Sequence, residues 1–134
     1  MMAKLPKFNN DDLRRQALTH RSLPNHNERL EFIGDGILQG VVTALLSQRY
    51  PNYREGRLTR ERSKLVCNAA LAKVAKHLNL GQQLYLAEYA IKQGCRKSCK
   101  VLSGALEALI GAYFIDTGYN YAAAEQFIQQ LLNL

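Results

Sequence analysis

The segment NERLEFIGDGIL, residues 27–38, decides how the chain is interpreted, because it sets three carboxylates into an apolar helical repeat. At about 100° per residue, Glu28, Glu31 and Asp35 fall within about 60° of one another on a helix. Apolar side chains occupy the opposite side of that helix: Leu30, Ile33, Ile37 and Val41. An ordinary amphipathic helix with a solvated acidic face has the same pattern, so the spacing alone does not establish a site.

The composition is that of one globular domain with a basic surface. A length of 134 residues with 47% hydrophobic content is enough for one core and too little for two, so we expect residues 1–134 to form a single domain. Eighteen Lys and Arg against eleven Asp and Glu give a net charge of +7. This charge favours a polyanionic partner such as nucleic acid, although a basic, solvated surface has it too.

The cysteines and histidines argue against a disulfide framework and against a zinc site. Cys67, Cys95 and Cys99 are odd in number and follow no secretory signal, which is typical of reduced thiols in a cytoplasmic protein. They form no CxxC pair, and three histidines are few for a zinc site. No apolar run reaches the roughly 18–20 residues of a membrane span, so we expect a soluble, cytoplasmic protein.

Apolar residues recur at intervals of three and four, without sustained two-residue alternation, which predicts an all-α fold. The predicted helices are about Asp11–Thr19, Glu28–Tyr50, Thr59–Leu78, Cys99–Asp116 and Tyr121–Leu132. Pro51 stops the second helix, Gly81 ends the third, and Asn120 caps the last. Between the third and fourth, we expect one short helix and then a basic loop through Gly94.

Glu107 is the only charged residue between Lys100 and Asp116 in the apolar segment KVLSGALEALIGAYFID. A carboxylate in such surroundings must be neutralised, hydrogen-bonded or bound to a cation. The same helix face carries small residues that admit a close helix contact: Gly104, Ala108, Gly111 and Ala112. The alternative is a tight helix crossing with Glu107 at its wet rim.

If this small-residue face packs against the acidic face of the second helix, Glu31, Asp35 and Glu107 converge on one point. Oxygen ligands without His or Cys select Mg²⁺, with Mn²⁺ as a possible substitute. A divalent cation activates water and stabilises charge on phosphoryl oxygens. A metal site in a basic protein therefore indicates phosphodiester hydrolysis, with no organic cofactor.

The segment NERLEFIGDGIL resembles the signature of the ribonuclease III family, usually written NERLEFLGDSVL. ALTHRS, EGRLTRERSKLV and LEALIGAYFID resemble other family segments, in the family's order and at its spacing, so the resemblance covers about Leu13 to Leu131. It implies an all-α RNase III endonuclease domain that forms a symmetric homodimer and holds double-stranded RNA in a valley. Two metal-dependent centres would each hydrolyse one strand.

The resemblance also implies roles for single residues. Glu31, Asp35 and Glu107 match catalytic metal ligands, whereas Glu28 and Glu55 match supporting acidic positions.

Phe32 lies about 40° from Glu28 on the helical wheel, away from the core side, so its ring needs a pocket outside its own helix. The matching aromatic residue of the family inserts into the partner subunit, which implies a dimer-interface role for Phe32. Packing beneath a loop of its own chain is the alternative.

The chain departs from the family's second motif, SILADAFEALIGA, where Gly104 replaces an Asp. One expected metal ligand is missing. We expect a water molecule to fill its place, with weaker metal binding and slower hydrolysis. Three other departures are Gly36 in place of Ser, Cys95 within a Gly-Gly-Arg sequence, and Lys100 in place of Ser.

The segment KQGCRKSCK places four basic residues before and at the start of the Glu107 helix: Lys92, Arg96, Lys97 and Lys100. They suit phosphate contacts with RNA, although a solvated basic loop has the same composition. The 134 residues do not include the separate double-stranded RNA-binding domain of the common bacterial enzyme. We therefore expect RNA affinity to come from the surface of the dimer itself.

Three interpretations follow from the sequence. The first is an RNase III-type endoribonuclease that needs Mg²⁺ or Mn²⁺ and cuts double-stranded RNA to leave 5′-phosphate and 3′-hydroxyl ends. The second is a catalytically inactive module of the same fold that binds structured RNA or a ribonucleoprotein. Gly104 favours this module, whereas the retained carboxylates argue against it. In the third, Gly104 is an introduced substitution in an active enzyme.

Overall fold

The computed structural model describes residues 4–134 and confirms the all-α prediction. Its helices are α1 (Asp11–Ala17), α2 (Glu28–Arg49), α3 (Glu55–Val66), α4 (Asn68–His77), α5 (Leu80–Gln83), α6 (Glu88–Lys92), α7 (Cys99–Asp116) and α8 (Tyr121–Leu132). A 3₁₀ turn, Cys95–Lys97, precedes α7. Within residues 4–134, the only β-type backbone pairing is an isolated bridge between Thr19 and Tyr85.

Side-chain caps define the starts of α7 and α8. The Ser98 hydroxyl accepts a hydrogen bond from the Val101 N–H at 3.3 Å, and Asn120 Oδ1 accepts one from the Ala123 N–H at 3.2 Å. Each cap satisfies an amide that has no partner within its helix. The prediction that Asn120 caps the last helix is confirmed.

The prediction of one helix over Thr59–Leu78 is wrong. Cys67 adopts an extended conformation (φ −66°, ψ 160°) that separates α3 from α4. Gly81, predicted to end the helix, lies inside α5. The apolar repeat continues through Cys67 without a Gly or Pro, so the sequence carries no local signal for the break. Packing of α4 against α7 supplies the tertiary reason for it.

The segment between α5 and α7 is more regular than the predicted loop. The expected short helix is present as α6, and the basic residues that follow form the 3₁₀ turn. Gly94 joins these two elements with φ +80°, a left-handed conformation that glycine adopts without steric cost.

The largest helix contact of the fold joins α2 and α7. Two glycines make it possible. A Cβ on Gly34 would overlap the carbonyl oxygen of Glu107, and a Cβ on Gly111 would overlap the carbonyl oxygen of Leu30. The small-residue face predicted for α7 thus admits the backbone of α2, and this approach sets Glu107 beside the acidic helix.

Both central helices contribute to one apolar core, whose largest fully buried members include Leu38, Val41, Leu71, Leu106, Leu109, Ile110 and Ile128. Helix α2 is long enough and apolar enough to cross a membrane, so the prediction that no apolar run is long enough is wrong. The structure shows the physical reason. Leu38, Val41 and Leu46 of α2 are buried inside the fold, and the core helix of a soluble protein can have the same length and apolar composition.

Candidate functional site

A pocket beside the crossing of α2 and α7 is lined by four carboxylates and an aromatic ring: Glu28, Glu31, Phe32, Asp35 and Glu107. We call it the acid pocket. The helical spacing on α2 supplies all of these residues except Glu107, which α7 contributes. The structure therefore brings Glu31, Asp35 and Glu107 together, as their spacing predicts, while their role as metal ligands stays a prediction.

Glu107 is the buried carboxyl group of the acid pocket, with 8% of the residue exposed. Its pKa is raised to about 8, first by burial, then by a hydrogen bond with Asp35 and by the negative charges of Asp35 and Glu31. No Lys, Arg or His of residues 4–134 forms an ion pair with it. At neutral pH Glu107 therefore keeps its proton unless a cation stabilises the charged form.

Glu31 is half-buried, and its carboxylate is turned onto α7. A Cβ placed on Gly104 would lie 2.8 Å from Glu31 Oε1, 3.0 Å from its Cδ and 3.1 Å from Oε2. Burial and the charge of Glu28 raise the pKa of Glu31, while the charge of Lys100 opposes the shift. The Glu31 carboxylate thus fills the space that a side chain at position 104 would need.

The remaining two carboxylates of the acid pocket are exposed to solvent. Asp35 Oδ1 accepts a hydrogen bond from Gln39 Nε2 at 3.5 Å, and Glu28 Oε1 lies 3.7 Å from His26 Nε2. Both contacts are long. Water therefore solvates these two charges, and they are held less firmly than Glu107.

The chemistry of this donor set fits a hard divalent cation, because four carboxylates converge without His or Cys. The burial of Glu107 without a cationic partner supports the same fit. The ligands are not assembled in advance: within residues 4–134, no three His, Cys, Asp or Glu side chains stand close enough together to hold a metal ion. Glu31, one of the three predicted ligands, rests on Gly104.

A cavity of about 280 Å³ adjoins the acid pocket and shares Glu28 and Glu31 with it. We call it the Gly104 cavity. Its other lining residues are mostly basic or polar: His20, Arg21, Asn27, Cys95, Ser98, Lys100, Val101 and Gly104. Gly104, Lys100 and Glu31 therefore face one shared space.

His20, which the sequence interpretation did not assign to the site, lines the Gly104 cavity. It is buried, and its Nδ1 accepts a hydrogen bond from the Ser22 N–H at 3.1 Å and lies 2.8 Å from the Ser22 hydroxyl. Burial lowers the pKa of His20. The only sequence signal for it was its place in the ALTHRS segment.

Glu55 lies away from the acid pocket of its own chain. It begins α3 and lines a groove between α2 and α3 with Thr43, Leu46, Ser47, Leu58, Thr59 and Arg62. One protomer therefore does not bring Glu55 to the other carboxylates. Its supporting role in the acid pocket stays a prediction.

Phe32 is 80% exposed, on the solvent side of α2. Packing beneath a loop of its own chain is therefore wrong. A large exposed ring beside a carboxylate pocket is an unusual feature for an isolated surface, so the interface prediction for Phe32 stands.

The four predicted RNA-contact residues differ in their surroundings. Arg96 is tied into the fold, because its Nη1 donates hydrogen bonds to the carbonyl oxygens of Gly81 (2.7 Å) and Leu84 (2.9 Å). These two bonds fix Nη1 of Arg96, and a phosphate contact by the rest of its guanidinium group stays a prediction. The other three side chains, Lys92, Lys97 and Lys100, are exposed.

Comparisons with known proteins point to one family. The family model described as Ribonuclease-III-like matches residues 10–134. The chain is 46% identical to Ribonuclease 3 of Bordetella petrii over 117 residues, which are 87% of this chain and 46% of the relative. It is also 46% identical to Ribonuclease 3 of Aromatoleum aromaticum over 127 residues, covering 93% of this chain and 55% of the relative.

A solved structure of the ribonuclease III nuclease domain from Campylobacter jejuni has the same fold. Its TM-score is 0.91 at 35% identity, and the match covers 95% of this chain and 89% of that one. In that protein, a region involved in dimer formation is structurally flexible. The chain spans about half the length of the two Ribonuclease 3 relatives.

Proposed function

The chain belongs to the ribonuclease III-like family, and from that premise we propose that it is an endoribonuclease that hydrolyses double-stranded RNA with a divalent cation. We take residues 1–134 as one endonuclease domain that acts in the cytoplasm. The observation that carries the proposal is the acid pocket, in which buried Glu107 of α7 faces Glu31 and Asp35 of α2.

Glu31, Asp35 and Glu107 would hold the cation, either Mg²⁺ or Mn²⁺, and Glu28 would add negative charge at the rim. The bound cation would supply activation of water and stabilisation of charge on the phosphoryl oxygens. Glu107 would keep a proton on its carboxyl group while the pocket is without positive charge, and would give it up to solvent on binding the cation, because a ligating carboxylate is deprotonated. No side-chain nucleophile is required.

The surface around the acid pocket suits an RNA backbone. The chain carries a net charge of +7, and exposed Lys92 and Lys97 lie before the start of α7. Phosphate contacts of this kind position the nucleic acid without reading its sequence, and they weaken as salt concentration rises. RNA binding is therefore expected to depend steeply on salt.

A symmetric homodimer completes the proposal. Phe32 is exposed beside the acid pocket, where it would insert into the partner subunit, and Glu55 would act from the opposite protomer. Two acid pockets would then face the two strands of one RNA duplex, and each would cut one strand.

A second candidate function, a catalytically inactive RNA-binding module, is favoured by two observations. Gly104 offers no ligand, and the carboxylates of residues 4–134 are not assembled for a metal ion. Such a module would keep the basic surface and the fold but would not hydrolyse RNA.

Incubation of end-labelled double-stranded RNA with the protein, in Mg²⁺ and separately in Mn²⁺, tests the two functions. We expect cleavage by the unaltered protein and faster cleavage by the Gly104→Asp variant. Glu107→Gln is the matched loss-of-function control, since it keeps the size of the side chain and removes its charge. Binding without cleavage by the unaltered protein would favour the inactive module, and cleavage that survives Glu107→Gln would refute the assigned site.

A further inference from the structure

Lys100 and Gly104 lie one turn apart on α7, at positions i and i+4, so they occupy the same face of the helix. Both line the Gly104 cavity, and so does Glu31 of α2. The charge of Lys100 and the open space above Gly104 on α7 therefore adjoin the same cavity as the Glu31 carboxylate of α2.

Gly104 supplies the room for that carboxylate. All three terminal atoms of Glu31 lie within 2.8–3.1 Å of where a Cβ on Gly104 would stand. Any larger residue at position 104 would push the end of the Glu31 side chain away. The present position of the Glu31 carboxylate therefore depends on the glycine.

Four charged side chains act on the Glu31 carboxylate. Glu28 and Asp35, on the same helix, repel its carboxylate, whereas Lys100 from α7 and Arg21 from the segment before α2 attract it. The effect of Lys100 is larger than that of Arg21. Within residues 4–134 Lys100 forms no ion pair shorter than 4.0 Å, so its attraction acts across the cavity rather than through a fixed contact.

We propose that Lys100 and Gly104 act as a pair that holds the Glu31 carboxylate on α7 and so keeps it from the cation position of the acid pocket. Lys100 is then a positioning residue. It sets how tightly the site binds a divalent cation, both by retaining Glu31 and by repelling positive charge. The effect on cation affinity rests on the proposed function, whereas the position of Glu31 rests on geometry alone.

Calorimetric titration with Mn²⁺ measures the first consequence. Lys100→Ser is expected to raise Mn²⁺ affinity, and Lys100→Arg, which keeps the charge, to leave it unchanged. Lys97→Ser is the matched control, because it removes the same charge from an exposed position outside the cavity. We also expect the gain in Mn²⁺ affinity from Gly104→Asp to be about tenfold larger in the Lys100→Ser background than in the unaltered protein. Without Lys100, the new carboxylate has no ammonium group to pair with and is free to bind the cation.

Crystal structures of the unaltered protein and of Lys100→Ser, without added metal, measure the second consequence. The Glu31 carboxylate is expected over Gly104 in the unaltered protein and turned toward the acid pocket in the variant. The proposal is overturned if Glu31 stays in place, or if Lys100→Ser changes Mn²⁺ affinity no more than Lys97→Ser does. If no variant binds Mn²⁺, the proposed function fails, and the two crystal structures alone decide the position of Glu31.

Discussion

The two helices that form the acid pocket differ in how they expose their carboxylates. Helix α2 is amphipathic and presents Glu28 and Asp35 to water, while its opposite side belongs to the core. Helix α7 is buried from Leu102 to Ala112 and includes Glu107 within that run. Exposed carboxylates contribute charge at little cost in stability, whereas a buried one is costly to ionise without a cation. The difference indicates that α7 provides the more demanding part of the site.

The largest expected effect comes from separating the two helices. A Cβ at position 34 overlaps the carbonyl oxygen of Glu107, and a backbone carbonyl cannot move aside as a flexible side chain can. We expect Gly34→Ala to lower the free energy of unfolding by at least about 3 kcal/mol. Urea denaturation followed by circular dichroism measures this loss.

Gly36→Ala is the matched control for that change. It lies in the same helix, and a Cβ on Gly36 would meet no atom of the described residues 4–134 within 4 Å. We expect the control to leave the free energy of unfolding unchanged or to raise it by about 0.5–1 kcal/mol, because alanine is a better helix former than glycine. Equal effects of the two substitutions would contradict the close backbone approach of α2 and α7.

The next effect concerns the proton on Glu107. Between its ordinary pKa of 4.5 and its raised value of about 8, the folded protein binds a proton that the unfolded chain has released. The free energy of unfolding must therefore fall as pH rises through this window, by about 3 kcal/mol between pH 5 and pH 8. The raised pKa of Glu31 contributes in the same direction.

Urea denaturation in EDTA at pH 5, 6.5 and 8 measures this dependence. Glu107→Gln has no proton to lose at this position, so its stability should fall less across the same range. If the variant and the unaltered protein lose stability equally, the carboxyl group of Glu107 is not the buried acid described above.

Much of this contrast between α2 and α7 was predictable from the sequence. Three carboxylates at helical spacing identify the exposed side of α2, and a lone charge in an apolar helix identifies Glu107. These signals are local, because they depend only on helical periodicity and on the cost of burying charge.

What the sequence could not predict depends on contacts between distant segments. The break at Cys67, the contact of Glu31 with Gly104 and the two carbonyl contacts of Arg96 each involve tertiary packing. The distance between Glu55 and the acid pocket is a further example. In each case the local sequence does not reveal which distant residue the fold will bring into contact.

The smallest expected effect concerns the exposed side of α2. Phe32→Ala should weaken dimer formation about tenfold or more, since large aromatic side chains are common binding hot spots. It should leave the stability of the protomer nearly unchanged, because the Phe32 residue is 80% exposed. Sedimentation velocity over a range of protein concentrations measures the dimer affinity.

Tyr119→Ala is the control for the loss of an exposed aromatic ring. Tyr119 is 65% exposed and lies beyond the end of α7 rather than beside the acid pocket. Its substitution should leave the dimer affinity unchanged. The interface role of Phe32 would be contradicted if both substitutions weakened the dimer equally. It would also be contradicted if neither substitution weakened it.

The central claim is that buried Glu107 and the carboxylates of α2 form one cation site, and Mn²⁺ calorimetry at pH 7 in buffers of different ionisation enthalpy tests it most directly. Because the pKa of Glu107 is raised to about 8, Mn²⁺ binding to the unaltered protein should release a proton. Glu107→Gln should both weaken binding and abolish this proton release. Unchanged Mn²⁺ affinity with the same number of released protons in Glu107→Gln would contradict the account.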